Sequence, residues 1–242
     1  MFGDVRIGDN QPVGPNHPAC AVRNSLTLAA AAALASLAAA LVLAYARRVA
    51  PNGLTRSAVR IAALGYALPG TVLAIGLLIP LGALDNRVDA MMRATFGVST
   101  GLMLTGSLAA LMLAYVIRFL AVATGALDAG LARISPNLDA AARALGETPL
   151  SALRRVHLPL LTPALASAAL LVFVDAMKEL PATLLMRPFN FETLATHVYA
   201  LAALEQFEEA SLGALMIVAA GLVPVLLLHH TVAGGRAGSG AE

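Results

Sequence analysis

The chain has 242 residues, of which 59% are hydrophobic and 12% charged, with a formal net charge of +2. A water-soluble domain carries about a quarter charged residues, so this composition excludes an ordinary globule and points to the bilayer as solvent. The small net charge gives no case for nucleic-acid binding, and the single cysteine, Cys20, excludes a disulfide framework or a Cys-rich metal site.

Residues 1–24 read as an irregular leader. The segment has no long apolar core, and it holds Asp4, Asp9 and several Pro and Gly residues, so it is not a signal peptide. Five apolar stretches follow, each long enough or nearly so to cross about 30 Å of hydrocarbon. The first, roughly Ser25–Ala46, is Ala-rich and ends at Arg47 and Arg48. The second, roughly Ile61–Leu84, contains Pro69-Gly70, a pair that breaks the helical ladder. The third runs roughly Gly97–Ile117 and stops at Arg118. The fourth runs roughly Pro163–Met177, and the fifth roughly Ser211–Leu228, up to His229 and His230. The predicted architecture is all-α: a polytopic transmembrane bundle of about five to six spans over residues 25–232. A Gly-rich tail, 233–242, reads as disordered.

Loop charges set the predicted orientation. Arg47, Arg48, Arg56 and Arg60 lie between spans one and two. Arg118, Arg133, Arg143, Arg154 and Arg155 lie between spans three and four. The other loops carry fewer basic residues, balanced by acids. The Arg-rich side is therefore expected to be cytoplasmic, with the leader outside. An outside leader before an odd number of spans suggests the back half of a longer protein, or a first span that is missing.

The 118–160 segment is patterned. Residues 138–145 read as a short helix ended by Gly146. Thr148 then caps a second helix with Pro149 in its first turn, and Leu158-Pro159 is expected to close it. On pattern alone this is either a surface connector or a knob that a partner can push.

Asp139-Ala140-Ala141-Ala142, then Gly146, then Val156, Leu158 and Pro159 resemble the EAA signature of ABC importer permeases. That signature runs Glu-Ala-Ala, three residues, Gly, nine residues, Ile, any residue, Leu-Pro. The spacing matches. Ala140 stands where the family has Glu, and Asp139 sits one residue earlier. The segments Tyr66–Ala74, Lys178–Phe189 and Leu204–Glu208 are similar to the iron(III) and thiamine subgroup, and the chain resembles the C-terminal half of a fused permease.

The resemblance implies a type I importer permease fold in the bacterial inner membrane, in contact with lipid. It also implies three partners: an ATP-binding subunit, a periplasmic solute-binding protein and a second permease half. Asp139, Ala140, Ala141, Ala142, Gly146, Val156, Leu158 and Pro159 would then couple to the ATPase. Asp175, Lys178, Glu179 and Pro181 are candidates for the translocation path. At i, i+3 and i+4, the three charged residues are expected on one helical face. Residues 192–209 read as one amphipathic surface helix.

The chain has no phosphate-binding Gly-x-x-x-x-Gly-Lys loop and no recognisable catalytic constellation, so no enzyme activity, metal site or cofactor is assigned. Two rivals remain at this level: a secondary transporter driven by an ion gradient, and a truncated membrane protein that transports nothing.

Overall fold

The computed structural model describes residues 18–236, with side chains over that range except at 223, 224 and 227–236. Among the described residues ten α-helices follow one another: α1 Pro18–Val49, α2 Gly53–Ala67, α3 Gly70–Phe96, α4 Leu108–Ala132, α5 Pro136–Ala144, α6 Pro149–Ala152, α7 Leu158–Met177, α8 Pro181–Met186, α9 Leu194–Ala203 and α10 Phe207–Arg236. A π turn, Leu153–His157, joins α6 to α7 without a break. Among the described residues, four helical rods are long and apolar enough to cross a membrane: 18–49, 70–96, 108–132 and 149–177. With 30 residues, α10 is a fifth long helix, covering the last predicted span.

The centre of the bundle is α1, α4 and α7, packed against one another. In lipid, helices gain little from burying apolar surface against each other, so close van der Waals approach decides which faces meet. The inner face of α1 supplies small side chains for this: Ser25, Ala29, Ala32, Ser36, Ala40 and Ala44 are all buried. Tyr115, Phe119 and Leu127 of α4 and Leu161 and Val172 of α7 fill the space opposite. By contrast, α2 and α3 expose Ile61, Leu64, Val72, Ile75 and Ile79.

Helix boundaries depart from the sequence expectations in six places. The second span does not run from Ile61 to Leu84: α2 ends before Pro69, and α3 carries 70–96 as a separate rod. The leader is shorter than expected, since residues 18–24 already belong to α1; residues 1–17 and the tail residues 237–242 lie outside the described range. The third span starts at Leu108, capped by Ser107, rather than at Gly97. Residues 97–107 instead fold over the end of α3, held by carboxylates: Asp89 accepts from Ser99 Oγ and from the Thr100 and Gly101 amides, and Asp85 from the Leu104 and Thr105 amides.

The largest correction concerns Arg118. It does not stop the span but lies within α4, which continues to Ala132. The loop at that end of the bundle therefore begins near Arg133, and the bias of Arg toward that end survives without Arg118. Leu158-Pro159 also fails to end a helix. Pro159 lacks an amide hydrogen, and the preceding π turn absorbs the missing bond, with the Leu158 amide reaching back to Leu153 O. Residues 149–177 thus form one rod. Finally, 192–209 is two helices: Thr193 caps α9, and Glu205, at φ 60°, turns the chain into α10.

Candidate coupling element and mid-bundle ion pair

At the Arg-rich end, the chain leaves α4, runs through Ile134 and Ser135, and enters α5. Ser135 accepts from the Asn137 amide and caps it, and Pro136 opens it. Gly146 then takes φ 75°, the left-handed region where a Cβ is disfavoured. Thr148 caps the next helix through the Ser151 amide. Between them, Glu147 accepts from Ser151 Oγ and pairs with Arg155 at 2.8 Å. These bonds, the Ser151 hydroxyl first, hold the Glu147 carboxyl below its usual range.

The outer surface of this bend is apolar. Leu138, Leu145 and Leu150 are exposed, Leu145 by 84%. Ala140 and Ala141 are exposed beside them, and Arg143, Arg154 and Arg155 lie around them on the surface. Inward, Ala142 is the one buried side chain of α5. A single buried methyl contributes on the order of 1 kcal/mol, too little to fix a nine-residue helix.

Polar contacts take over that task. Asp139 Oδ2 lies 2.8 Å from Arg48 Nη2, and Asp139 Oδ1 lies 2.8 Å from His157 Nε2. Arg48 also donates to Leu131 O at 2.6 Å and to Ile134 O at 2.9 Å. His157 is fully buried, its Nδ1 is 3.1 Å from Ala152 O, and its ring packs edge-on against Tyr45. The Tyr45 hydroxyl donates to Pro149 O. A cavity of about 220 Å³ opens beside this cluster, between the end of α1 and the α5–α6 bend.

A second polar cluster lies far from that end. Arg118 is the eleventh residue of α4, about 15 Å along the helix from Leu108 and about 21 Å from Ala132. Its Nε lies 2.9 Å from Glu179 Oε2, and its Nη1 donates to Leu68 O at 2.8 Å. Leu68 is where α2 ends, because Pro69 cannot continue the ladder. The guanidinium thus satisfies a carbonyl that the break sets free. Glu179 also accepts from the Ala182 amide at the start of α8. Gly70 opens α3 directly against this carboxylate: a Cβ there would sit 2.7 Å from Glu179 Oε1. One ion pair therefore ties α4, the α2–α3 break and the α7–α8 junction together.

No family model matches the chain. Over 208 residues it is 30% identical to the Fe(3+)-transport system permease protein FbpB 2 of Haemophilus influenzae, covering 86% of this chain and 38% of that protein. Over 129 residues it is 30% identical to PhnV of Salmonella typhimurium, a permease protein assigned to 2-aminoethylphosphonate transport, covering 53% of this chain and 49% of that one. The chain spans less than half the length of either relative. Its fold matches a bacterial alginate ABC transporter solved with an alginate pentasaccharide-bound periplasmic protein: TM-score 0.68, 18% identity, 87% of this chain and 76% of the other. It also matches the MetNI methionine ABC transporter in an inward-facing conformation, with TM-score 0.62, 17% identity and coverage of 87% and 94%.

The chain is similar in sequence to transport-system permease proteins and in fold to ABC transporter chains.

The chain brings part of each expected residue set together. Asp139 through Gly146 form the outer bend as expected, with Ala142 turned inward and Asp139 engaged within the chain. Val156, Leu158 and Pro159 belong to the rod that follows, not to the bend. Asp175, Lys178 and Glu179 do not share a helical face, because α7 ends at Met177. Asp175 pairs with the exposed Lys178 at 2.8 Å and faces the Tyr66 hydroxyl at 3.4 Å. Glu179 turns away to Arg118 and is only 6% exposed. Pro181 is exposed and opens α8. Sequence reasoning missed Arg118, Arg48, Tyr45 and His157 as site residues. For Arg118 there was a signal: the apolar run resumes after it with Phe119-Leu120-Ala121-Val122-Ala123, as expected of a charge inside a span.

Proposed function

We propose that this permease forms one half of the translocation path of a bacterial inner-membrane importer and couples it to a separate ATP-hydrolysing subunit. The α5–Gly146–α6 bend carries the reading. It is an exposed apolar surface rimmed by Arg143, Arg154 and Arg155, at the Arg-rich end, continuous through the π turn with a 29-residue rod. The positive-inside rule makes that end cytoplasmic, where a nucleotide-driven subunit works. ATP binding draws two such subunits together, the bends follow, and rigid rods such as 149–177 turn that displacement into alternating access.

A periplasmic binding protein would deliver the solute to the opposite end. The exposed apolar faces of α2 and α3 would meet the second half and lipid. Ferric iron is the best-supported solute, on the strength of the relation to the Haemophilus protein. The path reading of Asp175, Lys178 and Pro181 rests on their position beside the α2–α3 break. Glu179 joins them as the group that holds the break shut against Arg118.

The test is reconstitution of the permease with its ATPase subunit and binding protein in vesicles, measuring ATP-dependent uptake. Uptake of iron(III) delivered by the binding protein supports the reading. ATP-dependent uptake of 2-aminoethylphosphonate instead would reassign the solute and leave the mechanism standing, whereas uptake driven by an ion gradient without ATP would refute it.

A further inference from the structure

In this chain Ala140 stands where the EAA pattern has a carboxylate, and the neighbouring Asp139 is turned inward. Arg48 of α1 bonds one Asp139 oxygen, and His157 of the π turn brings its Nε2 to 2.8 Å from the other, a close contact without hydrogen-bond alignment. Arg48 also holds the carbonyls of Leu131 and Ile134, so the exit of α4 is bound into the same cluster. Because α5 buries Ala142 alone, little else fastens it to the bundle.

We propose that Asp139, Arg48 and His157 form an internal clamp that makes α5 move as one body with α1 and the 149–177 rod. They are positioning residues for coupling. The docking surface itself needs no carboxylate from this chain: it presents Leu138, Leu145 and Leu150 within an arginine rim, which fits an apolar groove with an acidic edge. The consequence for transport rests on the function proposed above, whereas the clamp is a property of the chain alone.

Amide hydrogen exchange on the purified permease in lipid nanodiscs tests it. Asp139→Asn keeps the side-chain shape and removes the charge. Amides of residues 138–144 should then exchange roughly tenfold faster or more, the effect of losing charge-assisted bonds, while α1 and α7 amides keep their rates. His157→Gln should loosen the same segment. At residues 138–144 the Asp139→Asn/Arg48→Gln pair should do less than the sum of the two single changes, because both break one cluster.

In reconstituted vesicles, Asp139→Asn should retain the bound ATPase subunit but lose uptake. Unchanged exchange in α5 in both single variants overturns the clamp. So does loss of the ATPase subunit with α5 exchange unchanged, the behaviour of a carboxylate that reaches a partner. If the wild-type permease neither retains an ATPase subunit nor takes up solute, the proposed function falls, and the exchange result still decides the clamp.

Discussion

Replacing Glu179 with Gln is the sharpest probe of the mid-bundle ion pair. The change is isosteric, so it opens no cavity, but it leaves the Arg118 guanidinium without its counter-charge. The pair is shielded, with 17% of the Arg118 side chain and 7% of the Glu179 side chain exposed. Breaking a buried pair by removing one partner costs about 3–5 kcal/mol. Arg118 keeps its bond to Leu68 O, so the lower end of that range applies. For a chain of this size a loss of about 3 kcal/mol lowers the melting temperature by roughly 6–12 °C.

Thermal unfolding in a mild detergent, followed by near-UV circular dichroism, reads the shift directly. The double variant Arg118→Gln/Glu179→Gln should recover part of the loss, since neither charge is then left alone. If Glu179→Gln costs less than about 0.5 kcal/mol, the usual cost of a surface change, the pair does not staple the broken helix. If the double variant is merely the sum of the singles, the two groups are not coupled.

Leu145→Glu should leave the melting temperature unchanged, because the side chain is 84% exposed, yet abolish co-purification with the ATPase subunit. Gly146→Ala should cost about 1 kcal/mol. Nothing lies within 4 Å of the added Cβ, but φ is 75°; Gly146→Asn should cost less, because Asn tolerates that region, and paired melting curves will rank the two. Glu147 predicts a pH effect. Its carboxyl is held below the ordinary range in the folded chain, so its support for the bend is present above that range and lost as pH falls through the native value. Exchange at the Ser151 and Ala152 amides, corrected for intrinsic rate, should rise on acidification, and Glu147→Gln should flatten that rise.

The spans were legible because lipid imposes long apolar runs, and the bend was legible because Gly146, Thr148 and Pro149 are turn and cap signals that work locally. Charges inside helices were not. Arg118 follows an apolar run, and a basic residue after such a run ordinarily marks its end. Its role depends on Glu179, 61 residues away, and on a carbonyl that Pro69 frees. Asp139 was legible as a departure from the pattern, but its inward turn depends on Arg48, 91 residues away. The end of α7 at Met177 separates Asp175 from Glu179, and the helical spacing that groups them takes no account of where a helix stops. Residues 97–107 read as span because they carry no charge and lead into an apolar run; the Asp85 and Asp89 carboxylates that fold them into a loop act from the preceding helix.

The proposed function requires the α5–α6 bend to face the cytoplasm and meet a nucleotide-driven subunit. Cys20 is the chain's one cysteine. In a Cys20→Ser background, Leu145→Cys should be labelled by a membrane-impermeant maleimide in inside-out vesicles but not in intact spheroplasts, and the ATPase subunit should block that labelling. Labelling from the outside, or labelling that the ATPase subunit leaves untouched, would exclude a cytoplasmic docking bend.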